Sequence, residues 1–199
     1  MSHDATVRHL LLRRGLRLEY TTLGWNIVGC VVLLAAAIAA HSVALAAFGI
    51  DSVIEIVAST VVIWHLNGIA DDRREGTALR IIAVAFALLA FYVAAQATVT
   101  LVGGSHPGDS ALGMVWLVVT VAVMFGLAAG KRDTGTKLDN PVLLTEGRVT
   151  LVDGLLGLAV LIGITLNAVA GWWWADPLSA LVIVVYAMRE AVQAWREVG

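Results

Sequence analysis

The chain has 199 residues, of which 59% are hydrophobic and only 14% are charged, and its mean hydropathy is +0.86. Soluble domains are about a quarter charged, so this composition argues strongly against a cytosolic enzyme, a nucleic-acid-binding protein and a disordered protein. The net charge of −2 leaves no basic excess for a polyanionic partner, and a single cysteine excludes an intrachain disulfide and a multi-cysteine metal cluster. An integral membrane protein remains.

Six runs of mostly apolar residues follow one another along the chain. A bilayer core about 30 Å thick needs roughly 20 such residues per helix, and continuous rather than alternating runs favour helices over barrel strands. We therefore predict an all-α integral membrane protein with a cytosolic segment over residues 1–19 and a six-helix transmembrane domain over residues 20–196. The first run is too long for a signal peptide. The predicted spans are Tyr20–Ala40, Ser42–Leu66, Ala78–Val102, Ala111–Ala129, Leu143–Ala170 and Trp174–Trp195.

The basic residues predict the orientation of these helices. All thirteen lie before the first span, in or beside the second and fourth connections, or near the end of the chain. Cytoplasmic loops carry such an excess, so both termini are predicted to be cytosolic, and the tryptophan run at 172–174 is predicted to lie at the outer interface. The residues are Arg8, Arg13, Arg14, Arg17, Arg73, Arg74, Arg80, Lys131, Arg132, Lys137, Arg148, Arg189 and Arg196.

Three acidic residues lie well inside predicted spans. Asp51 and Glu55 are four residues apart and share one face of the second helix. Counting 1.5 Å per residue from Ser42 places them about 13 Å and about 19 Å below the outer surface. The same count back from Ala170 places Asp153 about 25 Å below it. Because a carboxylate inside a bilayer costs about 2.5 to 3.5 kcal/mol on insertion scales, we expect these three residues to form one functional site.

The chemistry of three unpaired acids suggests cation exchange. We expect no basic residue at their depth, which argues against a simple ion-pair network. Burial and mutual repulsion favour protonated carboxyl groups when nothing is bound, whereas a bound divalent cation favours the ionised form and releases protons. The three acids therefore suit the exchange of a metal ion for protons. Two other interpretations stay open: protonated acids that only hydrogen-bond between helices, and a sodium or proton site.

Polar residues near the acids are further candidate ligands. Asn26 on the first helix and Thr150, one turn before Asp153, offer oxygen donors. An oxygen-rich site without imidazole favours manganese or ferrous iron over zinc, whereas a contribution from Cys30 would favour zinc or cobalt. Glu146 at the inner mouth of the site could help cations enter, but the favoured interpretation is an ordinary solvated carboxylate at the end of the helix.

The segments around these acids resemble a known family. The segment 41–59, which contains both acids of the second helix, is similar to the second helix of cation diffusion facilitators, where two metal ligands lie four residues apart. The segment 146–181, with Asp153 and the sequence Ala-Asp-Pro at 175–177, is similar to the fifth and sixth helices of that family. The six spans and the cytosolic termini agree with the resemblance, which covers most of the chain.

The resemblance implies a homodimeric transporter without a prosthetic group, which moves zinc, manganese, iron or cobalt ions out of the cytosol in exchange for protons. It implies Asp51, Glu55 and Asp153 as metal ligands. Two departures from the family are noted: Val149 takes the place of a fifth-helix ligand, and we expect no C-terminal cytosolic domain after the sixth helix. We expect a multi-pass protein of a bacterial inner membrane.

Two other classes of function stay open. If the valine at position 149 abolished transport, the chain would be a membrane interaction or assembly protein with the same fold. Its metal binding would then be no tighter than that of a variant without the three acids. An intramembrane protease or lipid hydrolase is the other class, but the sequence places no serine and histidine at matched depth.

Overall fold

The computed structural model describes residues 3–66, 72–104 and 106–197, and these residues form six α-helices. The side chains of Arg73, Arg74 and Arg80, which contribute to the predicted orientation, lie outside the described part. The prediction of an all-α protein with six helices is confirmed for the described residues. The helices are α1 (His3–Ala40), α2 (Val43–Leu66), α3 (Asp72–Gly103), α4 (Ala111–Leu138), α5 (Pro141–Ala170) and α6 (Ala175–Glu197).

Four of the helices are long and apolar enough, by length and composition, to cross a membrane. Large apolar side chains such as Ile38, Val102 and Val169 are exposed on them, as expected for helices that face lipid on one side. The chain is therefore an integral membrane protein, whereas crossings by α2 and α6 and the side of the termini stay predictions. Within the described residues the four segments are Thr6–Ala40, Phe86–Gly103, Ala111–Leu138 and Glu146–Ala170.

Helix α2 is the central element of the bundle. It packs against α1, α3, α5 and α6, while α4 packs on α1 and α5, and α3 packs mainly on α6. Buried side chains from all six helices form one apolar core, in which Leu45 and Phe48 of α2 are almost completely enclosed. The inward face of α2 is therefore removed from both water and lipid.

The bundle end that contains Trp172–Trp174, which we call the tryptophan end, is held together by helix caps. Ser42 accepts a hydrogen bond from the backbone N–H of Leu45 at 3.1 Å and donates its own proton to Asp176. The second carboxylate oxygen of Asp176 accepts hydrogen bonds from the first two backbone N–H groups of α2, at 3.1 and 3.3 Å. These groups have no partner inside the helix. Asp176 therefore ties the start of α6 to the start of α2.

The remaining connections at the tryptophan end are also fixed by hydrogen bonds. Asn167 of α5 donates a hydrogen bond to the carbonyl oxygen of Pro107 at 2.9 Å. The backbone N–H of Gly108 donates to the carbonyl oxygen of Ala40 at 2.7 Å. The loop before α4 is thus joined to the last turns of α1 and α5. The opposite end, which carries the α4–α5 turn and exposed arginines, we call the basic end.

A glycine allows α5 and α6 to pack in close contact. A Cβ atom at Gly163 would lie 2.6 Å from the Cβ atom of Ser179 and 2.9 Å from the carbonyl oxygen of Ala175, and neither atom can rotate away. We expect Gly163→Ala to lower the free energy of unfolding in detergent by about 1–3 kcal/mol. In the control Gly126→Ala the new Cβ meets no atom within 4 Å, so stability should be unchanged or slightly higher. Equal losses in the two variants would contradict the close packing.

Candidate functional site

The three acids predicted from the sequence are buried within the bundle. Asp51 and Glu55 on α2 and Asp153 on α5 are only 2%, 3% and 3% exposed. When ionised, Asp51 repels Glu55, Glu55 repels Asp153, and Asp153 repels Asp51. The packing of α2 against α5 thus brings the three charges within reach of one another. We call these three residues the carboxylate site.

Polar atoms along the inward face of α2 lack hydrogen-bond partners. Within the part of the chain that the structure describes, this holds for Asp51 Oδ1, Glu55 Oε2 and Ser59 Oγ, all of them buried. The three residues are four apart and therefore lie on one face of the helix. Since buried polar atoms are normally hydrogen-bonded, this face has spare capacity for a cation or a proton.

The carboxylate site is not arranged as a closed metal centre. Among the described residues, no group of three or more His, Cys, Asp or Glu side chains is placed to hold a metal ion. Coordination of one ion by all three acids therefore requires their side chains, or the helices α2 and α5, to move closer together.

The two further candidate ligands have different surroundings. Asn26 on α1 is buried, and its Nδ2 atom has no hydrogen-bond partner among the described residues. Thr150 donates its hydroxyl proton to the carbonyl oxygen of Glu146 at 2.9 Å and accepts a hydrogen bond from Lys131 Nζ at 3.0 Å. Asn26 stays a candidate ligand. Thr150 binds Lys131 and is not among the proposed metal ligands.

A buried ion-pair group lies beside the carboxylate site. Lys131 Nζ on α4 donates hydrogen bonds to Glu19 Oε2 on α1 and to Glu146 Oε1 on α5, both at 3.1 Å. The side chains of Lys131 and Glu19 are completely buried. Together with Thr150 these residues form what we call the lysine cluster. It joins three helices through one ammonium group.

The lysine cluster corrects two predictions. The expectation that no basic residue lies at the depth of the acids is wrong, because Lys131 is completely buried and its charge acts on both Glu55 and Asp153. The expectation that Glu146 is solvated is also wrong, since it is 4% exposed and paired with Lys131. The physical reason is that α4 continues for about two and a half turns beyond Ala129, where the apolar run ends, and its buried face continues with it.

Helix α6 contributes two side chains that the sequence analysis missed. The charge of Glu190 acts on Asp51. The charges of all three acids of the carboxylate site act on Tyr186, whose ring packs edge-on against Phe86 at a centroid distance of 5.9 Å. Glu190 follows Tyr186 by four residues and thus lies on the same face of α6. This face therefore borders the carboxylate site.

Comparison with known proteins identifies the family of the chain. None of the curated proteins matches the chain in sequence. Residues 77–199, well over half of the chain, match the cation efflux transmembrane domain. The matched region includes Asp153, Lys131 and Glu146. The chain therefore belongs to the cation efflux family, the cation diffusion facilitators, which are membrane transporters of metal cations.

Proposed function

We propose that this protein exports a divalent transition-metal ion from the cytosol in exchange for protons, with Asp51, Glu55 and Asp153 as ligands. The observation that carries the proposal is the set of three buried, mutually repelling carboxylates. Membership of the cation efflux family supports transport itself. The unpartnered oxygen atoms of Asp51 and Glu55 support cation binding at this particular place.

Charge balance accounts for the coupling to protons. Three ionised carboxylates in a bundle of apolar side chains repel one another, and protons relieve that repulsion when no metal ion is bound. A divalent ion binds the ionised form, so loading the site expels protons. Protonation from the other side of the membrane then favours release of the ion. Rocking of the helices around the site exposes it alternately to the two sides.

The donor set favours a hard metal ion. The proposed ligands are carboxylate oxygens, with the amide oxygen of Asn26 or water to complete the coordination. Carboxylate and carbonyl donors suit manganese and ferrous iron, whereas zinc prefers imidazole and thiolate. Val149, which replaces a family ligand, is half-buried and adds no donor. We therefore propose manganese or ferrous iron as the preferred substrate, ahead of zinc and cobalt.

We further propose that all six helices cross a bacterial inner membrane, that the basic end faces the cytosol and that the protein is a homodimer. The exposed side chains of Arg14, Arg132, Lys137 and Arg148 lie at the end opposite the tryptophans. This distribution is typical of a cytosolic face, and tryptophans are typical of a membrane interface. The central position of α2 among four other helices supports its crossing the membrane with them.

A flux experiment tests the proposal. The purified protein is reconstituted into liposomes with an acidic interior that contains a pH-sensitive dye, and manganese, iron, zinc or cobalt is added outside. We expect the metal to enter and the interior pH to rise, with manganese or ferrous iron fastest. Metal entry no faster than in protein-free liposomes would contradict transport, and entry without a pH change would contradict proton exchange.

A second candidate function is a membrane interaction or assembly protein that does not transport. It is favoured by the finding that no three metal-binding side chains converge among the described residues. It predicts that manganese binding in detergent is no tighter for the wild-type protein than for the triple variant Asp51→Asn, Glu55→Gln, Asp153→Asn. Tighter binding by the wild type would reject this function.

A further inference from the structure

The ammonium group of Lys131 is fully engaged. It has three N–H donors, and its three oxygen partners lie on Glu19, Glu146 and Thr150, at 3.1, 3.1 and 3.0 Å. The side chain has no contact with solvent. Its position between α1, α4 and α5 is therefore fixed by three different contacts.

The lysine cluster nevertheless contains more negative than positive charge. Two carboxylates face one ammonium group, and the second oxygen of Glu19, Oε1, is buried without a hydrogen-bond partner among the described residues. An ionised cluster thus keeps one net negative charge and an unused acceptor. A second cation that approaches the cluster can therefore interact with the net negative charge and bind to the free oxygen atom of Glu19.

The lysine cluster is connected to the carboxylate site along α5. Glu146, Thr150 and Asp153 follow one another at spacings of four and three, so they lie on one face of that helix. The charges of Lys131 and Glu146, which are opposite in sign, act on both Glu55 and Asp153. A change at the lysine is therefore felt at the proposed ligands.

Different helices are joined at the two ends of the bundle. At the tryptophan end, Asp176 ties α6 to α2. Towards the basic end, Lys131 ties α4 to α1 and α5. Glu146 and Thr150 lie between the start of α5 at the basic end and Asp153, so an ion that approaches the carboxylate site along this face of α5 meets the lysine cluster.

We propose that Lys131 is a positioning residue that acts as a resident cation beside the carboxylate site. Its ammonium closes the approach from the basic end, and its positive charge weakens the binding of a divalent ion to the carboxylate site. An entering ion displaces the ammonium from Glu146 or Glu19 before it reaches Glu55 and Asp153. This inference rests on the proposed metal transport and describes how that same site is controlled.

The first test compares two lysines of α4 in the full-length protein in detergent. Binding of Mn²⁺ is followed by the loss of the electron paramagnetic resonance signal of the free ion. At a pH at which the carboxylate site is ionised, removal of a nearby positive charge should make Lys131→Gln bind Mn²⁺ with a Kd lower by about tenfold. The matched control is Lys137→Gln, whose side chain pairs with Asp133 at 2.9 Å on the exposed surface and whose loss should leave Kd unchanged. A purely structural role of Lys131 would instead weaken binding.

A second variant separates charge from folding. Lys131→Gln combined with Glu146→Gln removes one charge of each sign, so the net charge of the lysine cluster is unchanged. We expect a Kd close to the wild-type value and faster release of Mn²⁺, because the closure is lost. If Lys131→Gln alone does not fold, the release rate of Mn²⁺ from this double variant tests the proposal.

A folded Lys131→Gln protein that binds Mn²⁺ with the same Kd as Lys137→Gln, or with a higher Kd, overturns the inference. So does a double variant that releases Mn²⁺ no faster than the wild type. If the wild-type protein binds Mn²⁺ no better than the triple variant of the carboxylate site, the proposed function fails instead, whatever the lysine variants show.

Discussion

Replacing Asp51 or Asp153 by asparagine is expected to reduce proton-coupled metal flux to the level of protein-free liposomes, while the protein stays folded. Asparagine has nearly the same shape but neither the negative charge that binds the ion nor a site for the exchanged proton. Since the acids of the carboxylate site repel one another, the loss of one charge should not lower stability. Flux in liposomes and the apparent Tm in detergent measure the two effects separately.

A surface acid provides the control for these variants. Asp133 is partly exposed and pairs with Arg14 at 2.7 Å and with Lys137 at 2.9 Å. We expect Asp133→Asn to keep full flux, because its charge is screened by water and lies outside the carboxylate site. Unchanged flux in both Asp51→Asn and Asp153→Asn would refute the proposed ligands, since both variants remove a charge that metal binding requires.

The helices could be predicted from the sequence because apolar runs and helix caps coincide at several ends. Helix α5 begins after the cap residue Asn140, whose side chain accepts a hydrogen bond from the backbone N–H of Leu143, and ends at Gly171 in the left-handed conformation. The ends of α1 and α4 toward the basic end lie beyond their apolar runs. Hydropathy falls there, but α1 is extended through leucine and arginine residues, which are good helix formers, and α4 continues to its left-handed cap at Asp139.

The carboxylate site was predictable for a local reason. Asp51 and Glu55 lie on one helix, so the 3.6-residue period alone places them on one face. The lysine cluster depends on tertiary contacts, since Lys131 lies 112 residues from Glu19 in the chain. Both residues lie outside the apolar runs, so charges inside those runs do not include them.

The sequence of α4 nevertheless indicates that Lys131 is buried, because it continues the buried stripe of Thr120, Met124 and Leu127.

Helix α1 contained a comparable signal for Glu19. Glu19, Thr22 and Asn26 are all buried and follow one another at spacings of three and four, so they form one stripe on the helix. The stripe crosses the point where the apolar run begins, near Tyr20. A search by helix face, extended past the end of the apolar run, would have reached Glu19 from Asn26.

Removal of the lysine alone should cost a large part of the protein's stability. In Lys131→Met, Glu19 and Glu146 lose their buried countercharge, and breaking such a pair lowers the free energy of unfolding by about 3–5 kcal/mol. Chemical unfolding in detergent measures the change. The surface variant Lys137→Met should change stability little, because exposed ion pairs contribute little.

The fully neutral variant separates stability from function. With methionine at positions 19, 131 and 146 no buried charge is left without a partner, and such replacements are often neutral or stabilising. We therefore expect this triple variant to regain most of the stability lost in Lys131→Met, yet to transport metal more slowly than the wild type because the entering ion meets no carboxylate. A triple variant as unstable as Lys131→Met would show that the lysine cluster is needed for the stability of the bundle. Recovered stability with impaired flux would show that the three buried charges of the lysine cluster serve the passage of the ion rather than the stability of the bundle.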